Sequence, residues 1–309
     1  MRLIYKSKAW KIILSDLMIC RFLRGIKFIE PKSKETVINI KTSYDYYADI
    51  YQMKCLHMLF ALTWNNQIDV YDMKTGELIQ TLKWKGSRRF ERERLAIDEE
   101  NKCIYYILYC DEEGENESLV SIIDCVGWKE RIVSSLPGFY ASDFQYCKKE
   151  REYIIMGRQF CKFPKSLYLT GIDKGIGMNS GKEILFDQSN KWNVQTFTAA
   201  KLMDNGDMLY FIRLKRGKVY RLGEKSPILD KVDETAFSHD GKYIAYLRKG
   251  KITVLEYDSW KVVDTVESDI GLVHVFEFED SDKHIIYQVD DVNYLFEIEF
   301  ATVEKQRND

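Results

Sequence analysis

The sequence predicts an all-β fold built from one repeated antiparallel unit. Its clearest copy is FSHDGKYIAYLRKGKITVLEYDSWKVVDTV, residues 237–266, where three apolar runs are joined by turns at Asp240-Gly241 and Lys249-Gly250. In the run ITVLEYD every second residue shares a face, which is the periodicity of a strand. The aromatic content of 14% also favours strands.

The last hairpin of this unit recurs along the chain at intervals of about 40 to 50 residues. Further copies begin at Ile26, Ile68, Val120, Leu167 and Val219, and a truncated copy begins at Tyr294. A polar turn and a strongly apolar strand precede the hairpins, as in SHDGKYIAYL and DNGDMLYFI. A unit of this length repeated seven times predicts a closed β-propeller with seven blades of four antiparallel strands.

The two ends of the chain are expected to share one blade. The last copy ends at Phe300 without a fourth strand, while Arg2 to Lys6 is expected to form a strand with no partner of its own. We therefore expect the N-terminal strand to complete the last blade, because closure removes exposed strand edges. One alternative stays open: Lys8 to Gly25 also suits an amphipathic helix capped by Ser7. That helix would leave six blades.

Composition limits the classes of function. The chain has 309 residues, only four prolines and no Gly/Ser-rich linker, which favours a single domain over residues 1–309. A net charge of −2 disfavours a globally basic nucleic-acid binder. None of the seven cysteines forms a CxxC pair, and several lie in apolar runs, so we expect free thiols in a reducing, cytoplasmic compartment. The N-terminal apolar stretch is interrupted by Asp16 and is too short for a membrane span.

Two segments resemble a known repeat family. FSHDGKYIAYL resembles the turn-and-strand motif of WD40 repeats, and VYDMKTGELIQTL, from Val70, resembles their final hairpin. The Trp-Asp dipeptide that names the family is absent, so the chain is more similar to the looser WD40-like and YVTN-like propellers. The resemblance implies a protein-interaction platform in most cases and an enzyme in some.

Basic residues cluster in three successive turns between the second and third strands of a blade. Neighbouring blades would place these turns side by side, and the resulting positive surface would suit a protein partner or an acidic peptide. The residues are Arg158, Lys162 and Lys165 in the first turn, Arg213, Lys215, Arg216 and Lys218 in the second, and Arg248, Lys249 and Lys251 in the third.

No catalytic, cofactor or metal site is predicted. The acidic run from Asp111 to Glu117 lacks EF-hand spacing, and Gly175 to Gly181 does not match a phosphate-binding loop. The four histidines are expected to be structural. The sequence therefore predicts a monomeric, non-catalytic interaction platform that uses one face of the propeller. An enzyme or small-ligand binder with its site at the mouth of the central channel is the alternative, because such a site needs no linear motif.

Overall fold

The structure is a computed structural model. It describes residues 1–9, 11–22, 24–41, 47–63, 67–83, 88–112, 115–147, 152–160, 171–178, 180–185, 199–212, 217–269, 271–279, 282–290 and 292–300. The chain divides into two compact units, one comprising Trp10–Thr196 and the other comprising Met1–Ala9 with Phe197–Asp309.

The described residues form 28 strands, which pair into seven four-stranded antiparallel sheets. Sheets I to IV lie in the unit Trp10–Thr196. Sheet I has β2 (Lys11–Leu14), β3 (Met18–Phe22), β4 (Gly25–Ile29) and β5 (Thr36–Lys41). Sheet II has β6 (Tyr47–Met53), β7 (Met58–Thr63), β8 (Gln67–Asp72) and β9 (Leu78–Lys83). Sheet III has β10 (Arg88–Asp98), β11 (Cys103–Glu112), β12 (Glu115–Asp124) and β13 (Lys129–Pro137). Sheet IV has β14 (Phe139–Cys147), β15 (Glu152–Phe160), β16 (Gly171–Gly177) and β17 (Glu183–Leu185).

Sheets V to VII lie in the other unit. Sheet V has β18 (Ala199–Leu202), β19 (Met208–Ile212), β20 (Lys218–Arg221) and β21 (Leu229–Asp230). Sheet VI has β22 (Glu234–Phe237), β23 (Tyr243–Arg248), β24 (Lys251–Glu256) and β25 (Val262–Glu267). Sheet VII has β26 (Val273–Phe278), β27 (His284–Val289), β28 (Val292–Glu297) and β1 (Arg2–Ser7).

The strand order within each sheet fixes where its turns lie. Because the strands run in sequence and alternate in direction, the first-to-second and third-to-fourth turns share one end of a sheet, which we name the hairpin end. The second-to-third turn and the linkers to neighbouring sheets share the opposite end, the linker end. The segment from Lys8 to Gly25, for which a helix was the alternative, contains β2 and β3.

The pairing of β1 with β28 confirms the prediction that the N-terminal strand completes the last sheet. The register places Arg2 opposite Glu297 and Ser7 opposite Asn293. The Arg2 guanidinium lies 2.5 Å from the Glu297 carboxylate. The strand therefore fills the fourth position of a sheet whose other three strands come from the end of the chain.

The core lies between the faces of consecutive sheets. One cluster joins Phe60 and Val70 of sheet II to Ile104 and Leu108 of sheet III, and another joins sheets VI and VII. Within each unit, the first strands of consecutive sheets lie side by side, whereas the fourth strands are the most exposed. Apolar third strands such as Lys251–Glu256 are buried because they pack on both faces.

A β-bulge recurs in the fourth strands. In five sheets one residue of the fourth strand has no partner in the register, and each of these residues is a β-branched aliphatic. They are Val37, Ile79, Val133, Val263 and Ile4 of β1. The two remaining fourth strands, β17 and β21, have only three and two residues. The same bulge in β1 shows that this strand is equivalent to the fourth strands of the other sheets.

Two glycines of sheet V at positive φ test how tightly the linker end is packed. Gly217 lies at the linker end, and Gly223 lies at the hairpin end. A Cβ on Gly217 (φ +57°) would lie 1.5 Å from the carbonyl oxygen of Val232, whereas a Cβ on Gly223 (φ +86°) would meet nothing within 4 Å. We expect Gly223→Ala to cost about 1 kcal/mol, the conformational penalty alone. Gly217→Ala should cost about 3 kcal/mol or more, because the backbone must also move. Urea unfolding measures both, and equal losses would contradict this packing.

Candidate partner-binding surface

The best-described part of the predicted basic surface is the turn between β23 and β24. Lys249 has φ +51° and Gly250 has φ +75°. Two successive residues at positive φ form the tight hairpin turn that suits the twist of antiparallel strands. The turn places the Lys249 and Lys251 side chains in solvent at the linker end of sheet VI.

Arg248, which precedes this turn, holds the neighbouring sheet. Its guanidinium donates hydrogen bonds to the backbone carbonyls of Asp230 and Lys231, at the end of sheet V, the latter at 3.2 Å. It also lies 5.5 Å from the centre of the Tyr246 ring. Nε and Nη2 of Arg248 thus each donate a hydrogen bond within the protein, and Arg248 joins two sheets.

Both linkers that flank sheet VI fix the turn. On one side the Lys249 amide donates to the Asp233 carboxylate at 2.7 Å, and the Asp233 amide donates to the Leu247 carbonyl at 2.7 Å. On the other side the amide and hydroxyl of Ser268 donate to the Gly250 carbonyl at 2.7 and 3.0 Å. The lysines beside the turn are thus displayed from a backbone held at both edges.

The charge around this turn is mixed. Lys231, Lys249 and Lys251 are exposed, and we name them the linker-end lysines. Acidic neighbours accompany them: Lys218 Nζ lies 3.8 Å from Asp230 Oδ1, and Lys251 is opposite Glu267 in the register. The described residues therefore form a surface of paired charges with three exposed ammonium groups.

Of the remaining predicted site residues, Arg158 and Lys218 lie in described strands, and the others lie outside the described residues. Arg158 lies in β15, opposite Asp173, and only its backbone is described. Lys218 begins β20. Lys162, Lys165, Arg213, Lys215 and Arg216 lie outside the described residues. The structure thus brings Lys218 together with Arg248, Lys249 and Lys251, and their joint role stays a prediction.

Carboxylates that bridge successive sheets were not predicted from the sequence. At the hairpin end, the Asp282 carboxylate of sheet VII accepts the amides of His239 and Asp240 of sheet VI at 2.6 and 2.8 Å, and His239 Nδ1 lies 3.0 Å from it. Glu99 of sheet III binds the amides of Lys54 and Cys55 of sheet II at 2.6 and 2.8 Å. The sequence signal that could have indicated these bridges is that Glu99 and Asp282 occupy equivalent positions, in the first-to-second turns of their sheets.

Burial and hydrogen bonding act in opposite directions on the pKa of the two bridging carboxylates, Asp282 and Glu99. Burial acts to raise the pKa of Asp282, but the hydrogen bonds from His239 and Asp240 outweigh it and hold the pKa below its ordinary value. At the other bridge, burial together with the nearby Glu99 raises the pKa of the Cys55 thiol to about 11. The Asp282 bridge therefore depends on ionisation, and the Cys55 thiol stays protonated at neutral pH.

A second histidine, His284, is also paired within the protein. His284 Nδ1 lies 3.4 Å from the buried carboxylate of Glu279. Among the residues that the structure describes, no group of three or more His, Cys, Asp or Glu side chains could hold a metal ion. No helix within the described part of the chain is long and apolar enough to cross a membrane.

Comparison with known proteins identifies the fold. The chain is similar to the β-propeller domain of Cps50 (Swd1) from Myceliophteria thermophila, with a TM-score of 0.59 and 10% sequence identity, over 96% of this chain and 99% of that one. The chain therefore has a β-propeller fold, and the all-β propeller prediction is confirmed. Neither a protein-family model nor a curated protein matches the sequence.

Arg248 and Lys249 should respond differently to charge reversal. Arg248→Glu removes two hydrogen bonds to sheet V and places a carboxylate beside carbonyl oxygens, so it should cost about 1 to 2 kcal/mol. Lys249→Glu changes an exposed side chain and should stay within about 0.5 kcal/mol of the wild type. Urea unfolding at neutral pH separates the two, and a neutral Arg248→Glu would show that the guanidinium does not join the sheets.

Asp282 should make stability depend on pH in acid. Because its pKa is lowered in the folded protein, its contribution is complete above the unfolded value of about 3.9 and disappears as the pH falls through the folded pKa. Asp282→Asn keeps an oxygen acceptor and tolerates the positive φ of +57°, so it should cost only about 1 kcal/mol at pH 7. Unfolding curves at pH 7 and pH 3 should show this difference shrinking. A constant difference would exclude the ionised bridge.

Proposed function

We propose that the chain is a non-catalytic protein-interaction platform. One observation carries the proposal: exposed lysines stand on a hairpin turn that the linkers on both sides hold in place. A rigid surface loses little conformational entropy on binding, and this favours recognition through displayed side chains. The β-propeller fold supports the proposal, because propellers commonly serve as interaction platforms.

The linker-end lysines are the proposed contact, and an acidic segment of a protein is the proposed partner. Ammonium groups attract carboxylates or phosphates at long range and fix the orientation of the encounter. The predicted basic residues Arg213, Lys215 and Arg216, in the second-to-third turn of sheet V, would extend this surface. The alternative site at the mouth of a central channel stays a prediction.

The proposed setting is a monomer in the cytoplasm. Four cysteines among the described residues are free thiols. This is the form expected in a reducing compartment. The four cysteines are Cys20, Cys55, Cys103 and Cys125.

Charge reversal at matched positions tests the proposal. The test variant replaces the linker-end lysines by glutamate and leaves Arg248 intact. The control variant makes the same charge change at the hairpin ends of sheets I to III, at Lys32 and Lys74 in third-to-fourth turns and at Lys129, the first residue of β13. Affinity capture from a lysate, quantified by mass spectrometry, should recover a specific protein with the wild type and the control. Recovery with the test variant should fall about tenfold or more.

The outcomes distinguish the proposed contact, the linker-end lysines, from the proposed function as an interaction platform. Equal recovery by the test variant would reject the linker-end lysines as the contact, and a second variant that reverses Arg213, Lys215 and Arg216 would then test the adjoining turn. Absence of any specific protein from the wild-type sample would reject the platform itself. Urea unfolding of each variant shows that it remains folded.

A further inference from the structure

Trp260 occupies a backbone position that favours glycine. It lies in the third-to-fourth turn of sheet VI with φ +58°. The equivalent residues are Gly76 in sheet II and Gly181 in sheet IV, at φ +74° and +65°, and Lys34 in sheet I and Trp128 in sheet III, at φ +63° and +53°. A bulky side chain at positive φ is an outlier that costs conformational energy. The turn itself therefore does not explain why a tryptophan stands here.

The indole of Trp260 is displayed on an ordered support. It is 38% exposed and packs edge-on against the ring of Tyr257, with 5.8 Å between the ring centres. The buried Tyr257 hydroxyl donates to Asp207 at 2.8 Å and accepts from Arg221 Nε at 2.9 Å. The Arg221 guanidinium also lies 5.7 Å from the centre of the Tyr257 ring. The exposed indole is thus held in place before any partner arrives.

The surroundings of Trp260 are acidic. Asn205 Nδ2 donates to Asp207 and to Asp258, both at 3.1 Å, and so gathers two carboxylates beside the turn. Arg221 is already paired with Asp207 at 3.3 Å and with Glu224 at 3.0 Å. At the hairpin ends of sheets V and VI the carboxylates outnumber the cations. The carboxylates are Asp204, Asp207, Glu224, Asp240, Glu256 and Asp258, and the cations are Arg221, Lys225, Lys242 and Lys261.

We propose that Trp260 and the neighbouring carboxylates form a docking surface for a basic segment of a protein partner. An arginine or lysine side chain of that segment would lie over the indole face, where the ring quadrupole attracts a cation. Asp258, which accepts from the neutral amide of Asn205, would complement the remaining positive charge. An acidic segment would be repelled, and a purely apolar one would leave carboxylates buried without partners.

This surface is independent of the proposed function. It lies at the hairpin end of sheet VI, whereas the linker-end lysines lie at the opposite end and favour the opposite sign of charge. Exposed aromatic side chains on rigid supports are frequent centres of binding energy at interfaces. The two ends of one sheet would therefore select different partners.

A pair of tryptophan variants tests the proposal. The probe is a fluorescein-labelled nonapeptide of alternating arginine and glycine, and its glutamate–glycine counterpart is the control ligand. Trp260→Gly suits the positive φ and should keep its thermal midpoint within a few degrees of the wild type. Fluorescence anisotropy at low ionic strength should show that the variant binds the arginine probe about fivefold more weakly, the size of an exposed cation–π contact.

Trp128→Gly is the matched control. Trp128 occupies the equivalent turn of sheet III at φ +53° and packs, half-buried, against the core of sheets II and III. Thermal unfolding shows whether this variant is folded, and the folded variant should bind the probe as the wild type does. Asp258→Asn retains an acceptor for Asn205 and should weaken binding about twofold with a shallower dependence on salt. Equal binding by Trp260→Gly, an equal loss in Trp128→Gly, or no preference for the arginine probe would overturn the proposal.

Discussion

Antiparallel pairing of β1 with β28 is the contact on which the last sheet depends, because it joins the first and the last strand of the described residues. Without it, β28 would be an open edge and sheet VII would have three strands. The pairing also explains why the Met1 nitrogen reaches Asp264 of sheet VI, 2.6 Å away. The same carboxylate accepts the Glu299 amide at 2.7 Å. Residues from both ends of the chain thus meet on one side chain of the preceding sheet.

Local features of the fold were predictable from the sequence, and contacts between sheets were not. Alternation in ITVLEYD and the Lys249-Gly250 dipeptide predict a strand and a tight turn, because both follow from backbone geometry. The missing fourth strand after Phe300 predicts the role of β1. In contrast, Arg248 looks like any exposed cation in the sequence. Only the position of the Asp230 and Lys231 carbonyls, set by the packing of sheet V against sheet VI, shows what it binds. The role of Asp282 was not predictable for the same reason, because it binds backbone amides of the neighbouring sheet.

The two ends of sheet VI illustrate how one scaffold can carry opposite charges. At the linker end, Asp233 and Ser268 fix a turn from which lysines project. At the hairpin end, Asn205 and Arg221 organise carboxylates around Tyr257 and Trp260. In both places, residues of the neighbouring sheet or linker contribute the hydrogen bonds that fix the turn. The surface chemistry of one sheet is therefore set by the sheets beside it, and substitutions far apart in sequence can alter the same face.

The bulges of the fourth strands bear on how copies of this chain behave at high concentration. An unpaired strand with a regular, flat edge is a template for a strand of another molecule. Here each fourth strand among the described residues is interrupted by an aliphatic bulge, as at Val37 and Ile79, or has at most three residues. Intermolecular sheets would need longer uninterrupted ladders. The fourth strands can therefore carry exposed aliphatic side chains without providing an edge on which fibrous aggregation could begin.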